Sequence, residues 1–265
     1  MNMVHPTAVV EPGAQISPDV EIGPYAVIGG DVKIGRGTRI GPHAVIEGVC
    51  EMGEDNRIFS TAVIGSCPQD LKYRGERTSV KIGSRNTIRE FVTINTGTAG
   101  GGGETRIGDD NLIMAYCHIA HDCIISNRVV MANAATLGGH VVLEDRVIVS
   151  GLTALHHFVR IGSLAMLGGC SKVVIDVPPY ALFGGNPAKV HGLNVVGLKR
   201  SNVPPESRNA LKKAFKLLYN SGLNASQAID KIKEEVVPTD EVDRLVNFIK
   251  EASRGRSGRA LQKDF

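Results

Sequence analysis

The sequence predicts a mainly β fold, a short-period solenoid followed by a small C-terminal α-helical domain. Three observations carry this. A branched or long aliphatic recurs at every sixth position for most of the first 178 residues. A small or β-branched residue sits four places after it, as at Ala8, Ala14, Val20, Ala26 and Val32. Large rings are scarce: aromatics make up 5% of the chain and tryptophan is absent, which suits a narrow lumen filled by Ile, Val and Ala. Neither a helical period nor plain strand alternation gives a sixfold repeat. A chain that coils and stacks each aliphatic on its equivalent in the next coil does.

The series runs from Val4 and Val10 through Ile28 and Ile46 to Ile64, resumes at Ile82, Ile88 and Ile94, and after a one-residue slip continues from Ile107 to Val173. Each six-residue unit reads as a short strand plus a bend, and three units close a coil of about 18 residues. Residues n and n+18 are then direct neighbours, at the spacing of paired strands, about 4.8 Å. Two polar insertions interrupt the coils. Ser66 to Ser79 keeps the phase, since Ile64 and Ile82 are 18 apart, and Asn95 to Glu104 shifts it by one. The glycine run of the second has no following GK[ST], so a mobile surface loop is expected there rather than a phosphate cradle. The repeat stops near Val177-Pro178-Pro179, and a bridging segment runs from Phe183 to Arg200. Helical periodicity follows, with Leu211, Phe215 and Leu218 on one face of a helix from about Pro205 to Tyr219. A second helix opens near Asn224 with Gln227 in capping-box spacing. A third follows Pro238-Thr239, with Val242, Leu245, Val246 and Ile249 apolar. The tail from Arg254, carrying Arg256, Arg259 and Lys263, is expected to be loosely ordered. The division is residues 1–190 for the coil stack and 191–265 for the helical domain.

A net charge of +3 is too small to imply nucleic-acid binding over the whole chain. The opening residues lack a basic region followed by an apolar run, so no signal peptide is expected. No stretch reaches the length of a membrane span. Of five cysteines, Cys50, Cys117 and Cys123 occupy the small-residue position and Cys170 also lies in the repeats; without a CxxC they read as packed thiols in a reducing cytosol. A cytoplasmic protein is the expectation.

The n+18 rule gathers the chemistry. His121, Gly139 and His157 form one column, and Asp122, His140 and Phe158 the next; His118 and His156 flank them. Histidines clustered with a carboxylate suit general acid–base work near neutral pH. A glycine one coil from His121 lets its amide approach a reacting group closely, as an oxyanion donor must. Three imidazoles could also hold zinc, but extended geometry need not converge His118 and His121, and no cysteine pair stands at ligand spacing. No metal is expected.

The segments CHIAHDC (Cys117 to Cys123), QDLKY (Gln69 to Tyr73), LGGH (Leu137 to His140), LHHF (Leu155 to Phe158), DVPPY (Asp176 to Tyr180) and GLNVVGLKR (Gly192 to Arg200) resemble those of the UDP-N-acetylglucosamine O-acyltransferases, over nearly the whole chain. The resemblance implies a left-handed parallel β-helix assembled as a homotrimer with active sites between subunits. It implies transfer of a 3-hydroxyacyl chain from acyl carrier protein to the 3-hydroxyl of UDP-N-acetylglucosamine, the first step of lipid A biosynthesis, without a metal or bound cofactor. His121 then matches the general base, Asp122 the carboxylate that orients it and the Gly139 amide the oxyanion donor. Asp70, Lys72, His118 and His140 match contacts around the sugar and phosphates, His156 and His157 further site positions, and Asn194 and Arg200 contacts to nucleotide or acyl donor. Gly169 matches a position that limits acyl length and leaves room for a long chain. The family often has Gln where His157 stands, and a Glu and an Arg where Val196 and Ser201 stand, which puts nucleotide contacts from those positions in question. Cations of the cap and tail are expected to dock the acidic carrier protein. The competing readings are another hexapeptide acyl- or acetyltransferase, a trimeric zinc hydratase on the same scaffold, and a non-catalytic rod.

Overall fold

A computed structural model describes residues 3–262; Lys263, expected among the docking cations of the tail, lies outside the described residues. The repeats wind into three parallel sheets, and among the described residues these reach eleven, nine and eight strands once a hairpin after the repeats adds the last two strands of the first, one of them antiparallel. Strands enter them in strict rotation, so each coil contributes one short strand to each sheet. Register follows the n+18 rule wherever no insertion intervenes: Glu21 pairs with Arg39, Ile22 with Ile40, Val27 with Val45 and His118 with Thr136. At the insertions the rule gives way. Ile64 pairs with Ile94 and Ile82 with Met52 and Ile107, so Ile64 and Ile82 sit on different sheets. Phase survives the first insertion because whole repeat units leave the coil there.

The aliphatic of each strand points into the lumen and its predecessor points out, the ordinary alternation of a strand. Ile28, Ile46, Ile64, Ile94, Ile119 and Leu137 stack along the second sheet with no exposed surface. At the corners the second turn residue takes the left-handed conformation, as at Asp122 (φ 60°), His140 (φ 61°), Phe158 (φ 63°) and Cys170 (φ 55°). Such residues cost energy individually, and the ladder on both sides holds them there. This corner geometry turns the Cys170 side chain outward. The thiol expected inside is exposed, as is Cys67, whereas Cys50, Cys117 and Cys123 are buried.

The bridging segment forms a hairpin missed by the periodicity: Ala181–Gly185 joins the first sheet and pairs antiparallel with Ala188–Leu193. The expected boundary at 190/191 falls inside that second strand. Four helices follow: α1 (Val195–Arg200), α2 (Pro205–Tyr219), α3 (Ala225–Glu235) and α4 (Asp240–Arg254). Leu211 and Phe215 of α2 and Val242, Leu245 and Val246 of α4 are buried. The Asn224–Gln227 capping box forms in both directions. Helix α1 is too short to signal itself by period. The tail does not hang free as expected. Asp176 draws it back: its amide donates to the Gly258 carbonyl (2.9 Å) and its carboxylate accepts from Ala260 N (2.8 Å). Arg259, 9% exposed, donates to the Val174 carbonyl (2.6 Å).

Candidate active site

The corner joining the second and third sheets carries the histidine columns. His121 and Asp122 are its two turn residues between strands His118–Ile119 and Ile124–Ile125. In a straight strand neighbours point to opposite faces. The left-handed φ of Asp122 turns its carboxylate back, so that Oδ2 lies 2.7 Å from His121 Nδ1. Both residues are buried, His121 7% and Asp122 5% exposed. An ionised carboxylate only accepts, so His121 Nδ1 carries the hydrogen and Nε2 keeps a lone pair.

The His121 ring lies close against the Gly139 backbone one coil on. A Cβ built on Gly139 would lie 2.5 Å from Cε1 and 2.6 Å from Nε2 of His121. Only glycine fits there. The amide of Gly139, however, is engaged: it donates to His157 Nδ1 at 2.9 Å. His157 therefore holds its own hydrogen on Nε2. An oxyanion can take the Gly139 amide only when His157 yields it. The column geometry holds as expected, and the readiness of the donor does not.

His140 lies edge-on to His121 (centroids 5.2 Å apart, 90°) and stacks flat on Phe158 (4.3 Å, 8°). Its Nε2 is 3.7 Å from Asp122 Oδ2. His118 projects from the outer face of the second sheet, its Nδ1 2.7 Å from Thr93 Oγ1. His156 Nδ1 lies 3.1 Å from the His157 carbonyl. Burial holds His118, His140 and His157 below the ordinary histidine range, with neighbouring imidazoles adding to it; the Asp122 and Asp70 carboxylates oppose the shift at His140. Asp122 is lowered as well, which for a carboxylate favours the charged form. Burial raises its pKa, but hydrogen bonds from His121 and Thr98 outweigh this and keep it below the usual carboxylate range.

Thr98 was invisible to the sequence pattern. Its amide donates to Asp122 Oδ1 (2.8 Å) and its hydroxyl to Oδ2 (2.7 Å). Thr105 Oγ1 accepts the Asp122 amide (2.8 Å). Gly101 closes so tightly that any side chain would run into the Asp122 carboxylate. The glycine-rich insertion expected to be a mobile surface loop is instead a clamp on the second site residue, built on a short 3₁₀ turn at Ala99–Gly101. The signal available was its place in the chain: it leaves the coil at this same corner, one coil before His121.

Asp70 and Lys72 sit on the first insertion, where Asp70 Oδ1 accepts the Lys72 amide (2.9 Å). The Asp70 charge is felt at His140 and His157, so the loop reaches the histidine corner. Lys72 is exposed.

Asn194, Arg200 and Gly169 are not brought to this corner. Asn194 caps helix α1: Oδ1 accepts from Gly197 N (3.0 Å) and Nδ2 donates to the Leu164 carbonyl (2.9 Å). Together with Arg200 it lines a groove of about 760 Å³ on the outer face of the first sheet, floored by Val130, Ile148 and Met166 and flanked by Arg128 and Arg146. Val196 and Ser201 line the same groove. Gly169 is exposed at the corner joining the first and second sheets. The coil itself separates the groove from His121. Among the described residues, His121, Asp122 and His140 are the group whose donor atoms could meet at a metal ion.

Comparison with known proteins gives a consistent answer. A family model described as UDP-N-acetylglucosamine O-acyltransferase, domain 2, matches residues 176–257, and one for bacterial transferase hexapeptide repeats matches 13–48 and 104–139. The chain is 52% identical to an acyl-[acyl-carrier-protein]–UDP-N-acetylglucosamine O-acyltransferase of Thermodesulfovibrio yellowstonii, over 96% of this chain and 99% of that one. It is 49% identical to the enzyme so named in Anaeromyxobacter dehalogenans, over 95% and 98%. Solved structures of UDP-N-acetylglucosamine acyltransferases superpose closely: that of Bacteroides fragilis with a TM-score of 0.91 at 38% identity (94% and 97% covered), that of Campylobacter jejuni with 0.88 at 43% (94% and 96%). The solenoid is thus a left-handed parallel β-helix, as the sequence led us to expect.

Proposed function

The chain belongs to the acyl-[acyl-carrier-protein]–UDP-N-acetylglucosamine O-acyltransferases, and from that premise we propose that it moves a 3-hydroxyacyl chain from acyl carrier protein to the 3-hydroxyl of UDP-N-acetylglucosamine with His121 as general base. This is the first step of lipid A biosynthesis. The observation that carries the proposal is the His121–Asp122 pair (2.7 Å) facing the Gly139 backbone.

The sugar hydroxyl is a poor nucleophile until a base takes its proton. His121 Nε2 accepts that proton as the hydroxyl oxygen attacks the thioester carbonyl. Asp122, held ionised by Thr98, stabilises the imidazolium. The carbonyl oxygen gains the negative charge and takes the Gly139 N–H in place of His157 Nδ1. Collapse breaks the C–S bond, and the imidazolium returns its proton to the departing thiolate. Atoms and charge balance without a metal or bound cofactor.

The remaining residues divide the substrates. Asp70, Lys72, His118 and His140 surround the sugar and its phosphates on the His121 side, with His156 and His157 above them. Asn194 and Arg200 belong to the groove on the first sheet, whose arginines suit the nucleotide phosphates. Asn194 acts there through the helix it caps. Because the groove and the corner lie on different sides of one chain, a complete site takes two copies, which supports the homotrimer. Exposed apolar groups await such partners: Leu71 at the tip of the first insertion is 95% exposed and Leu152 66%. Gly169 at its corner leaves the acyl chain room. A cytoplasmic location fits both substrates; among the described residues no helix is long and apolar enough to cross a membrane.

Offered UDP-N-acetylglucosamine and carriers bearing 3-hydroxyacyl chains of several lengths, the protein is expected to yield an O-ester identified by mass, with long chains preferred. An amide, or no product with any carrier, would overturn the assignment. Exposed Lys199, Lys212, Lys213 and Lys216 of the helical domain supply the docking charge, since Arg259 is spent on the coil. Raising salt from about 0.05 M to 0.5 M is expected to raise KM for the carrier several-fold and leave kcat nearly fixed. A KM indifferent to salt removes the electrostatic docking.

A further inference from the structure

We propose that His121, Asp122 and His140 form a zinc site whose occupancy switches acyl transfer off. The donors are two imidazoles and one carboxylate, drawn from two adjacent coils. His121 Nδ1 lies 2.7 Å and His140 Nε2 3.7 Å from Asp122 Oδ2, and all three donor atoms fall within 4.8 Å of one another. Zinc–nitrogen and zinc–oxygen bonds of about 2.0–2.2 Å at tetrahedral angles set donors about 3.3 Å apart. The near pair must open and the 3.7 Å pair close, each by less than about 1 Å, and the two imidazole nitrogens, within 4.8 Å of each other, close by up to about 1.5 Å. The supporting shell is already built. Stacking on Phe158 fixes the plane of the His140 ring, and Thr98 holds the Asp122 carboxylate through both its amide and its hydroxyl. Such outer contacts orient metal ligands.

The consequence for catalysis follows from the tautomer, and this step rests on His121 being the base. Without metal, His121 carries its hydrogen on Nδ1 and offers the Nε2 lone pair. A neutral imidazole bound to zinc through Nδ1 carries that hydrogen on Nε2. The proton is relocated through solvent, not lost, and no bond to substrate is made or broken. The lone pair that would accept the sugar proton is gone. Zinc thus inhibits by inverting the tautomer that Asp122 enforces. Magnesium, which takes oxygen ligands and keeps its waters, finds no match here.

Calorimetric titration of the full chain with zinc chloride, after treatment with EDTA, tests the site. One zinc per chain is expected, with the affinity falling at least about tenfold in His140→Gln. In parallel, the EDTA-treated protein keeps its full rate of acyl transfer, loses it as zinc is added, and regains it with EDTA; magnesium chloride changes nothing. Absence of saturable zinc binding, or binding that His140→Gln leaves untouched, overturns the site. Stoichiometric binding without loss of turnover overturns the switch. The two readings separate cleanly. Near wild-type turnover in His121→Ala would defeat the general base while zinc binding to the parent chain is still read by heat. An inactive His121→Ala beside a parent that takes no zinc would defeat the zinc site alone.

Discussion

His121→Ala is expected to lower kcat by about 10²–10⁴-fold, the usual contribution of a positioned base. Binding of the nucleotide sugar should change little, because residues other than His121 hold its phosphates. The size of the effect follows from how much of the corner exists to serve this one ring. Asp122 is buried, yet three hydrogen bonds keep it charged: from His121 Nδ1, the Thr98 amide and the Thr98 hydroxyl. A buried carboxylate without such partners would take up a proton. Here the charge is retained to hold one hydrogen on Nδ1 and to stabilise the imidazolium that forms. Removing the ring leaves Asp122 with both Thr98 bonds, so the coil should stay folded and thermal unfolding should shift by a few degrees at most. Steady-state kinetics on matched preparations reads the result. Turnover within a few-fold of the parent would take His121 out of the reaction.

The site was legible in the sequence wherever the coil is regular. His121, Gly139 and His157 lie 18 apart with no insertion between them, so the ladder stacks them: His140 N donates to the His121 carbonyl (3.0 Å) and Phe158 N to that of Gly139 (3.1 Å). Periodicity is a strong signal because one slipped residue would turn every lumen side chain outward. The same rule failed at Ile64, where the chain leaves the coil and the neighbour becomes Ile94. It was silent on Thr98 and Gly101, since loops have no period and their contacts depend on where the chain folds back. It could not show that Asp122 turns toward His121, which a left-handed corner residue alone permits. Nor could it show that His157 Nδ1 occupies the Gly139 amide, because backbone partners at a corner are chosen by side-chain reach. Arg259 was misread for a related reason: a basic tail looks solvated until a buried acceptor such as the Val174 carbonyl claims it.

Gly139→Ala is expected to cost about 10²-fold or more in kcat, through one methyl group. The glycine is needed for closeness. The added Cβ would stand 2.5 Å from His121 Cε1 and 2.6 Å from Nε2, inside any tolerable contact, so the ring must move by roughly 1 Å. It cannot move alone. Nδ1 is tied to Asp122, Asp122 to Thr98, and His140 packs edge-on at 5.2 Å. Displacement therefore breaks the hydrogen bond that sets the tautomer, or pushes Nε2 off the line to the sugar hydroxyl. Either route strikes the chemical step, and an error of about 1 Å in such placement is worth about 10²-fold. The backbone amide survives the substitution, so the oxyanion donor is retained and the loss reports on the base. Two readouts distinguish this from a damaged coil: circular dichroism should match the parent, and the affinity for UDP-N-acetylglucosamine should hold within a few-fold. An alanine variant that turns over at the parent rate would mean that His121 works from a different position than the one it occupies against Gly139.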